Sequence, residues 1–351
     1  MILNTVYFEP EDWICFRENT QFQSGGTART STPKIETFLG ALKTSLMKLW
    51  GCSPRDVTPD LREIIGDSRK PGKLRISGPY FYKQNGRTIQ HFLPAPCTSY
   101  RLSSKELFQL MQPHKEVSTT LNGQKLCYPW IPSVEEDVEV AEHHFIEISE
   151  IQKLQEGKGF SLINGTYLRE ELFVRDTRVG IALDEKAKRA KDHMLYTLVF
   201  HRFRPGAGYF IFADEYTANT IKELKTVFLG SKSRTAMVEV STIDTDVFAA
   251  RQSGDLALCT TTPTVFDGGA FPKSMRISNA PIVGAGIPRK LAVSGWDLEM
   301  KQPKPIKHVV PAGAVYYVDG EFNYPESISD EYSELGYGRY FTVPWEYIRR
   351  G

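Results

Sequence analysis

At 351 residues the chain is long enough to bury a sizeable core, and it predicts two domains or one domain with a large insertion. A net charge of +1 excludes a global field that draws in polyanions, so any nucleic-acid site must be a local gathering of Lys and Arg offset by acid elsewhere. The five cysteines are scattered and odd in number, which argues against a disulfide framework or a structural zinc, and no apolar run approaches the ~18 residues of a membrane span.

The chain opens on a strand, Ile2 to Phe8, with no basic leader before it, so a reduced, soluble, cytoplasmic protein is the expectation. A loop with Arg17, Gly25, Gly26, Arg29 and Lys34 follows, and it feeds a helix predicted over 33–50 with Thr32 as N-cap and Pro33 at the first helical position. Ile35, Phe38, Leu39, Leu42, Leu46 and Leu49 recur at three- and four-residue steps, which is one buried stripe, while Thr37, Lys43, Thr44 and Lys48 lie off it. Cations ahead of a helix N-terminus suit phosphate oxygens; a plain surface loop is the bland alternative.

Residues 51–165 are less regular and read as an insertion. Strands are expected at 73–82 and 143–148, and helices at 104–111 and 150–155. Its acids, Glu135, Glu136, Asp137, Glu139 and Glu142, supply part of the charge offset.

The most informative stretch is 178–240. A strand over 178–183 meets a turn carrying Lys186, Lys188, Arg189 and Lys191, then a return strand over 194–200. A basic hairpin tip can lie along phosphates, although Asp184, Glu185 and Asp192 neutralise much of it and a solvated turn would look the same. A second hairpin leads to a helix over 218–228, then to Gly230-Ser231-Lys232-Ser233-Arg234 and a strand over 236–242. That glycine loop suggests a nest of backbone N–H groups with two added cations. Glycine as a helix C-cap is the plainer reading, and no Walker pattern is present.

With the insertion set aside, the order is β-α-β-β-α-β, a ferredoxin-like or RNA-recognition arrangement. From 244 onward strands dominate, punctuated by glycines, and the expectation there is a second, degenerate sheet domain. The fold class expected is therefore α+β, with two ferredoxin-like domains over 1–243 and 244–351.

Catalytic signals are sparse. His143 and His144 are adjacent and would face opposite sides of a strand. His193 beside the basic turn is a candidate base for cleavage by 2′-hydroxyl attack, though a polar turn residue explains it as well. Tyr80-Phe81-Tyr82, Tyr209-Phe210 and Tyr316-Tyr317 offer surfaces for base stacking, but strands favour aromatics anyway. These residues hold a phosphodiester backbone better than they break one, and no catalytic residue, metal or cofactor is expected.

Several blocks carry a resemblance. Phe16-Arg17-Glu18 with Gly25-Gly26 and Thr37 through Thr44 form one, and Ile76-Ser77-Gly78-Pro79 with Phe92 through Pro96 another. Arg178 through Ile181 to Leu195-Tyr196, Gly295-Trp296, Pro311 through Tyr317 and Gly336-Tyr337-Gly338-Arg339 complete the set. In this order and spacing the chain resembles the repeat-associated mysterious protein (RAMP) superfamily of CRISPR systems, within it the third-subunit family of the type III-B Cmr effector complex. It departs from that pattern at Ser231 and Ser233, where more glycine is expected.

The resemblance implies a noncatalytic subunit that holds the 5′ repeat-derived handle of the guide RNA. It also implies docking to the large polymerase-like subunit and a backbone RAMP subunit, and a protruding hairpin, or thumb, at about 178–200 that presses between guide and target RNA. Phosphate grip then falls to Arg17, Lys34, Lys43, Lys232 and Arg234 beside Gly25, Gly26, Gly230, Ser231 and Ser233, with handle or thumb contacts from Arg178, Lys188, Arg189 and Lys191. Two other classes compete: a metal-independent endoribonuclease that processes CRISPR repeat RNA, and a scaffold whose basic patches face acidic protein partners.

Overall fold

The structure, a computed structural model, describes residues 1–16, 27–28, 33–67, 70–132, 135–183, 190–231, 233–250, 254–297 and 302–348. It is a mixed α/β fold, mostly sheet, with five α-helices among the described residues. Six elements set its plan: strand β1 (Ile2–Pro10), helix α1 (Ile35–Leu49), strand β2 (Ile76–Asn85), strand β3 (Ala207–Ala213), helix α2 (Glu215–Ile221) and strand β4 (Thr235–Asp244). The four strands lie side by side in the order β2–β3–β1–β4, antiparallel throughout, with Tyr7 paired to Phe210 on one side and Glu239 on the other. Thr88–Pro94, His144–Glu147 and Ile163–Asn164 widen this first sheet beyond β2, and Thr226–Phe228 closes it beyond β4.

Alternation along each strand sends its side chains to two different cores. Val6 and Phe8 of β1, Tyr209 and Ile211 of β3, and Phe81 of β2 face a layer built from α1, α2 and the helix Gly165–Leu172. There Phe38 of α1 lies edge-on to Phe8 at 4.9 Å and to Tyr209 at 5.5 Å. Tyr7, Tyr80, Tyr82, Phe210 and Phe212 point the other way, against the helix Ile148–Gln155 and a second sheet through Ala257, Cys259, Tyr317 and Phe341. That second sheet runs Tyr340–Pro344, Leu256–Thr260, Val315–Val318, Ala280–Gly286, Gln124–Trp130 and Gln112–Leu121. Its last two strands come from within 51–165. The aromatic pairs singled out for base stacking are thus core residues, because a strand buried on both faces needs large apolar groups at consecutive positions.

Other expectations shift locally. Lys34 takes the N-cap position of α1 with extended backbone and no side-chain capping bond, so Pro33 precedes the helix and does not open it; Thr32 lies outside the described residues. Residues 104–111 form no helix: Gln109–Leu110 pairs with Ser99–Leu102, and Phe108 bridges to Phe160. The helix expected at 218–228 is α2, capped by Asp214 accepting from the Thr217 N–H, followed by the edge strand Thr226–Phe228. The second hairpin is a crossing between sheets, since Ala190–Phe203 belongs with Phe173–Leu183 and β3 belongs to the first sheet. Among the described residues no helix is long and apolar enough to cross a membrane.

The sequence blocks beyond the hairpin have structural jobs. Cys97 donates its N–H to the Gly313 carbonyl, joining the 92–96 block to the 311–317 block. Tyr337 reaches the α1 layer and donates to Glu36 Oε1 at 2.7 Å.

Candidate nucleic-acid interface

The hairpin consists of strands Phe173–Leu183 and Ala190–Phe203, paired in register from Phe173↔Phe203 to Ile181↔Leu195. It is longer at its root than the sequence suggests, and it is fixed to the body by the segment that leaves β1. Ile14 and His201 exchange backbone hydrogen bonds at 2.9 and 2.8 Å. Alternation then sends Ile14 into the α1 core, while Trp13 and Cys15 face Leu198 and Phe200 of the hairpin.

Two of the expected cations meet at Trp13. The Arg178 guanidinium lies over the indole, 3.0 Å from the ring centroid. Arg234 approaches the same ring at 5.4 Å and Phe200 at 5.9 Å. Each has a carboxylate neighbour: Arg178 pairs with Asp176 at 3.2 Å, and Arg234 pairs with Asp12. The exposed Arg178–Asp176 pair is worth roughly 0–1 kcal/mol, so a phosphate oxygen can replace that acid at little cost. The Arg234 Nε is buried and has no hydrogen-bond partner, which leaves that guanidinium incompletely satisfied.

The glycine loop places Arg234 here by a route other than the one its sequence suggests. It caps no helix; it joins the edge strand Thr226–Phe228 to β4. Gly230 has φ +79°, and a Cβ there would stand 2.8 Å from the Cys15 carbonyl oxygen. Only glycine suits that left-handed, close-packed position. The Ser231 N–H donates to Cys15 O at 2.9 Å and the Leu229 N–H to Arg234 O at 2.8 Å, so the Ser231 amide is not free to bind an anion as a nest requires. Ser233 also adopts positive φ, +52°.

Lys34 and Lys43 belong elsewhere. Lys34 Nζ donates to the Ser294 carbonyl at 3.0 Å. Burial holds its pKa below the ordinary lysine value, with Glu36 opposing the shift. Lys43 is pushed down to about 8, first by burial and then by the neighbouring Lys304 and Arg75. Among the described residues no hydrogen bond, ion pair or ring contact joins either lysine to the Trp13 group. Arg17, Gly25, Gly26, Lys188, Arg189 and Lys232 lie outside the described residues; Lys191 and His193 fall on the strand Ala190–Phe203.

Trp13 and Phe200 are what sequence reasoning missed. A tryptophan between acids and an apolar run, immediately after a strand and before Arg17, was the available signal.

Two solved structures share the fold. A chain of the Type III-B Cmr-beta complex bound to cognate target RNA and AMPPnP superposes with a TM-score of 0.52 at 17% identity, covering 89% of this chain and 86% of that one. A chain of the Type III-B Cmr-beta complex bound to cognate target RNA gives 0.51 at 16% identity, with the same coverage. No curated protein matches the chain. The family model described as CRISPR-associated protein (Cas_Cmr3) matches residues 6–345, and by that near-complete match the chain belongs to the Cas_Cmr3 family of CRISPR-associated proteins.

Proposed function

We propose that this chain is a noncatalytic RNA-binding subunit of a type III-B CRISPR effector, holding the 5′ repeat-derived handle of the guide RNA. In that role it docks the large polymerase-like subunit and a backbone RAMP subunit, and its hairpin is a thumb beside guide and target RNA. One observation carries the reading: Trp13, Arg178 and Arg234, spread over more than 200 positions of sequence, come together as an aromatic ring with two guanidinium groups beside it. Such a surface suits single-stranded RNA, where cations take phosphates and flat groups take bases. The strand order β2–β3–β1–β4, with α1 and α2 packed in one core, supports a ferredoxin-like fold for residues 1–243. A second, degenerate one over 244–351 belongs to the same reading. The relatives seen with cognate target RNA agree with it.

The test is fluorescence anisotropy of full-length protein with labelled guide RNA that carries its handle, across a salt series. The expected log–log slope is about −0.7 per phosphate neutralised. An Arg178→Gln/Arg234→Gln double variant should bind at least ~10-fold more weakly, as loss of charged hydrogen bonds implies. Wild-type protein that fails to bind at low salt, or a double variant of unchanged affinity, would sink the reading. The RNA should also be recovered intact in EDTA; cleavage that disappears in His193→Ala would make the protein a nuclease.

A further inference from the structure

The hairpin has two faces, and only one of them meets Trp13. On the opposite face Arg175 stands directly across from His201, with Phe173 and Phe203 paired beside them at the root. Phe173 lies flat on the His201 ring at 4.0 Å and 16°, and both phenylalanines enter the α1 core. From the adjoining helix Gly165–Leu172, Arg169 brings its guanidinium over Phe145, 5.8 Å from the centroid. Arg175 and Arg169 both act electrostatically on the His201 ring, and Arg175 acts on Arg169, so three nitrogen-bearing side chains from two strands and a helix stand close to one another.

This group lacks an answering charge. Neither Arg169 nor Arg175 makes a hydrogen bond or ion pair to a carboxylate among the described residues. The nearby acids are engaged elsewhere: Glu171 with Lys83 at 2.9 Å, and Asp176 with Arg178 on the other face. The Glu170 carboxylate forms no ion pair with Arg169 or Arg175 among the described residues, and its backbone carbonyl accepts from Arg204. His201 Nδ1 is buried with no hydrogen-bond partner. Burial, then Arg175, then Arg169 hold that imidazole neutral, down to about 4. Two uncompensated guanidinium groups beside an unsatisfied ring nitrogen repel one another, and an oxyanion between them removes the repulsion.

The same face continues outward through Thr177, Val179 and Ile181, by the two-residue period of a strand. Val179 is 71% exposed and Ile181 43%. A charged socket followed by bare apolar surface fits a phosphate followed by a sugar or base better than it fits a free inorganic ion.

We propose that the root of the hairpin, on the face away from Trp13, is an oxyanion site in which Arg169 and Arg175 hold a phosphodiester group. The RNA-holding role proposed above supplies the identity of the ligand; the socket itself is read from the residues.

Two measurements on the full chain keep these apart. Inorganic phosphate is titrated into protein with 15N-labelled histidine. A saturable shift of the His201 ring signals is expected in the wild type and not in Arg175→Gln, whose side chain is exposed and whose fold is checked by an unchanged thermal midpoint. Absence of a saturable shift overturns the site. RNA anisotropy then compares Arg175→Gln with Arg178→Gln on the opposite face. Arg175→Gln should weaken binding about tenfold and make the salt slope shallower by about 0.7. If Arg178→Gln weakens RNA binding and Arg175→Gln does not, the phosphodiester assignment fails while the RNA-holding role stands. If RNA does not bind but phosphate shifts His201, the role fails and the oxyanion site stands.

Discussion

His91 shows how a single buried ring ties stability to pH. It sits on the face of the first sheet that meets the second sheet. It shares a hydrogen bond with the Tyr7 hydroxyl at 2.6 Å and meets the Phe210 ring edge-on at 4.9 Å. Among the described residues no acid faces it closely enough to favour the charged form, and burial pushes its pKa down to about 4. The unfolded chain takes up this proton near 6.5, whereas the folded chain resists until about 4. The unfolded state therefore binds more protons across that window, and stability falls as pH drops from 6.5 towards 4, by ~1 kcal/mol per pH unit while one histidine is titrating. His201 adds a fall in the same window. Lys43 acts in the basic range: its penalty is present below about 8 and is relieved as pH rises towards 10.5. Denaturant midpoints measured between pH 7 and pH 4 should decline less steeply in His91→Gln, which keeps a hydrogen-bonding side chain for Tyr7 but cannot take up a proton. Parallel declines in the two proteins would remove His91 from the account.

Among elements, the turn from Thr226–Phe228 into β4 holds the candidate interface together. Gly230 gives it the left-handed backbone and the close approach to Cys15, and Arg234 leaves it directly towards Trp13. Gly230→Ala must push the turn off the 11–16 segment, because its neighbour is a backbone oxygen that has no rotamer to yield. A loss of ~1–3 kcal/mol is expected, since both strain at positive φ and displaced contacts contribute. RNA affinity should fall with it. Arg234→Gln should instead lower affinity with little change in stability, so a Gly230→Ala protein as stable as wild type would show that the turn does not set the interface. This turn also marks where sequence reading stops. Its cations and glycine were legible from composition, and α1 was legible from its stripe of Ile35, Phe38, Leu39, Leu42 and Leu46. Short apolar runs fit either periodicity, and the partner decides between them. Leu224 to Phe228 read as the end of a helix, yet Val227 is 2% exposed as part of an edge strand because β4 offers an unpaired edge beside it. Trp13 was missed for the same reason: its role depends on a hairpin more than 160 positions away, and no local pattern encodes that distance.

At the scale of the whole molecule, the two sheets and the helical layer share side chains to an extent that argues against independent halves. Val265, Val293, Val309 and Tyr337 from beyond residue 244 are part of the α1 core. Tyr7, Tyr80, Phe210 and Phe212 of the first sheet pack with Ala257, Cys259 and Tyr317 of the second. Tyr317 is fully buried and donates to the Met111 carbonyl at 2.6 Å, which ties the second sheet back to residues within 51–165. This shared apolar surface is the dominant favourable contribution to the fold. Separating the halves would expose a face carrying Tyr7, Tyr80, Tyr82, Phe210 and Phe212, each worth roughly 1.5–3 kcal/mol of burial. The expected result is a single unfolding transition, seen alike by circular dichroism and by tryptophan fluorescence, with Trp13 and Trp50 reporting on the first sheet and its helical layer and Trp130 and Trp345 on the second sheet. Phe38→Ala removes a ring that is fully buried between Phe8, Phe16 and Tyr209 and should cost about 3–5 kcal/mol. Because α1 and the second sheet are linked through the first sheet, that loss should move the whole transition to lower denaturant without dividing it. If instead the Trp345 signal keeps its wild-type midpoint while the rest melts early, the layers are energetically separate and the continuous core does not govern folding.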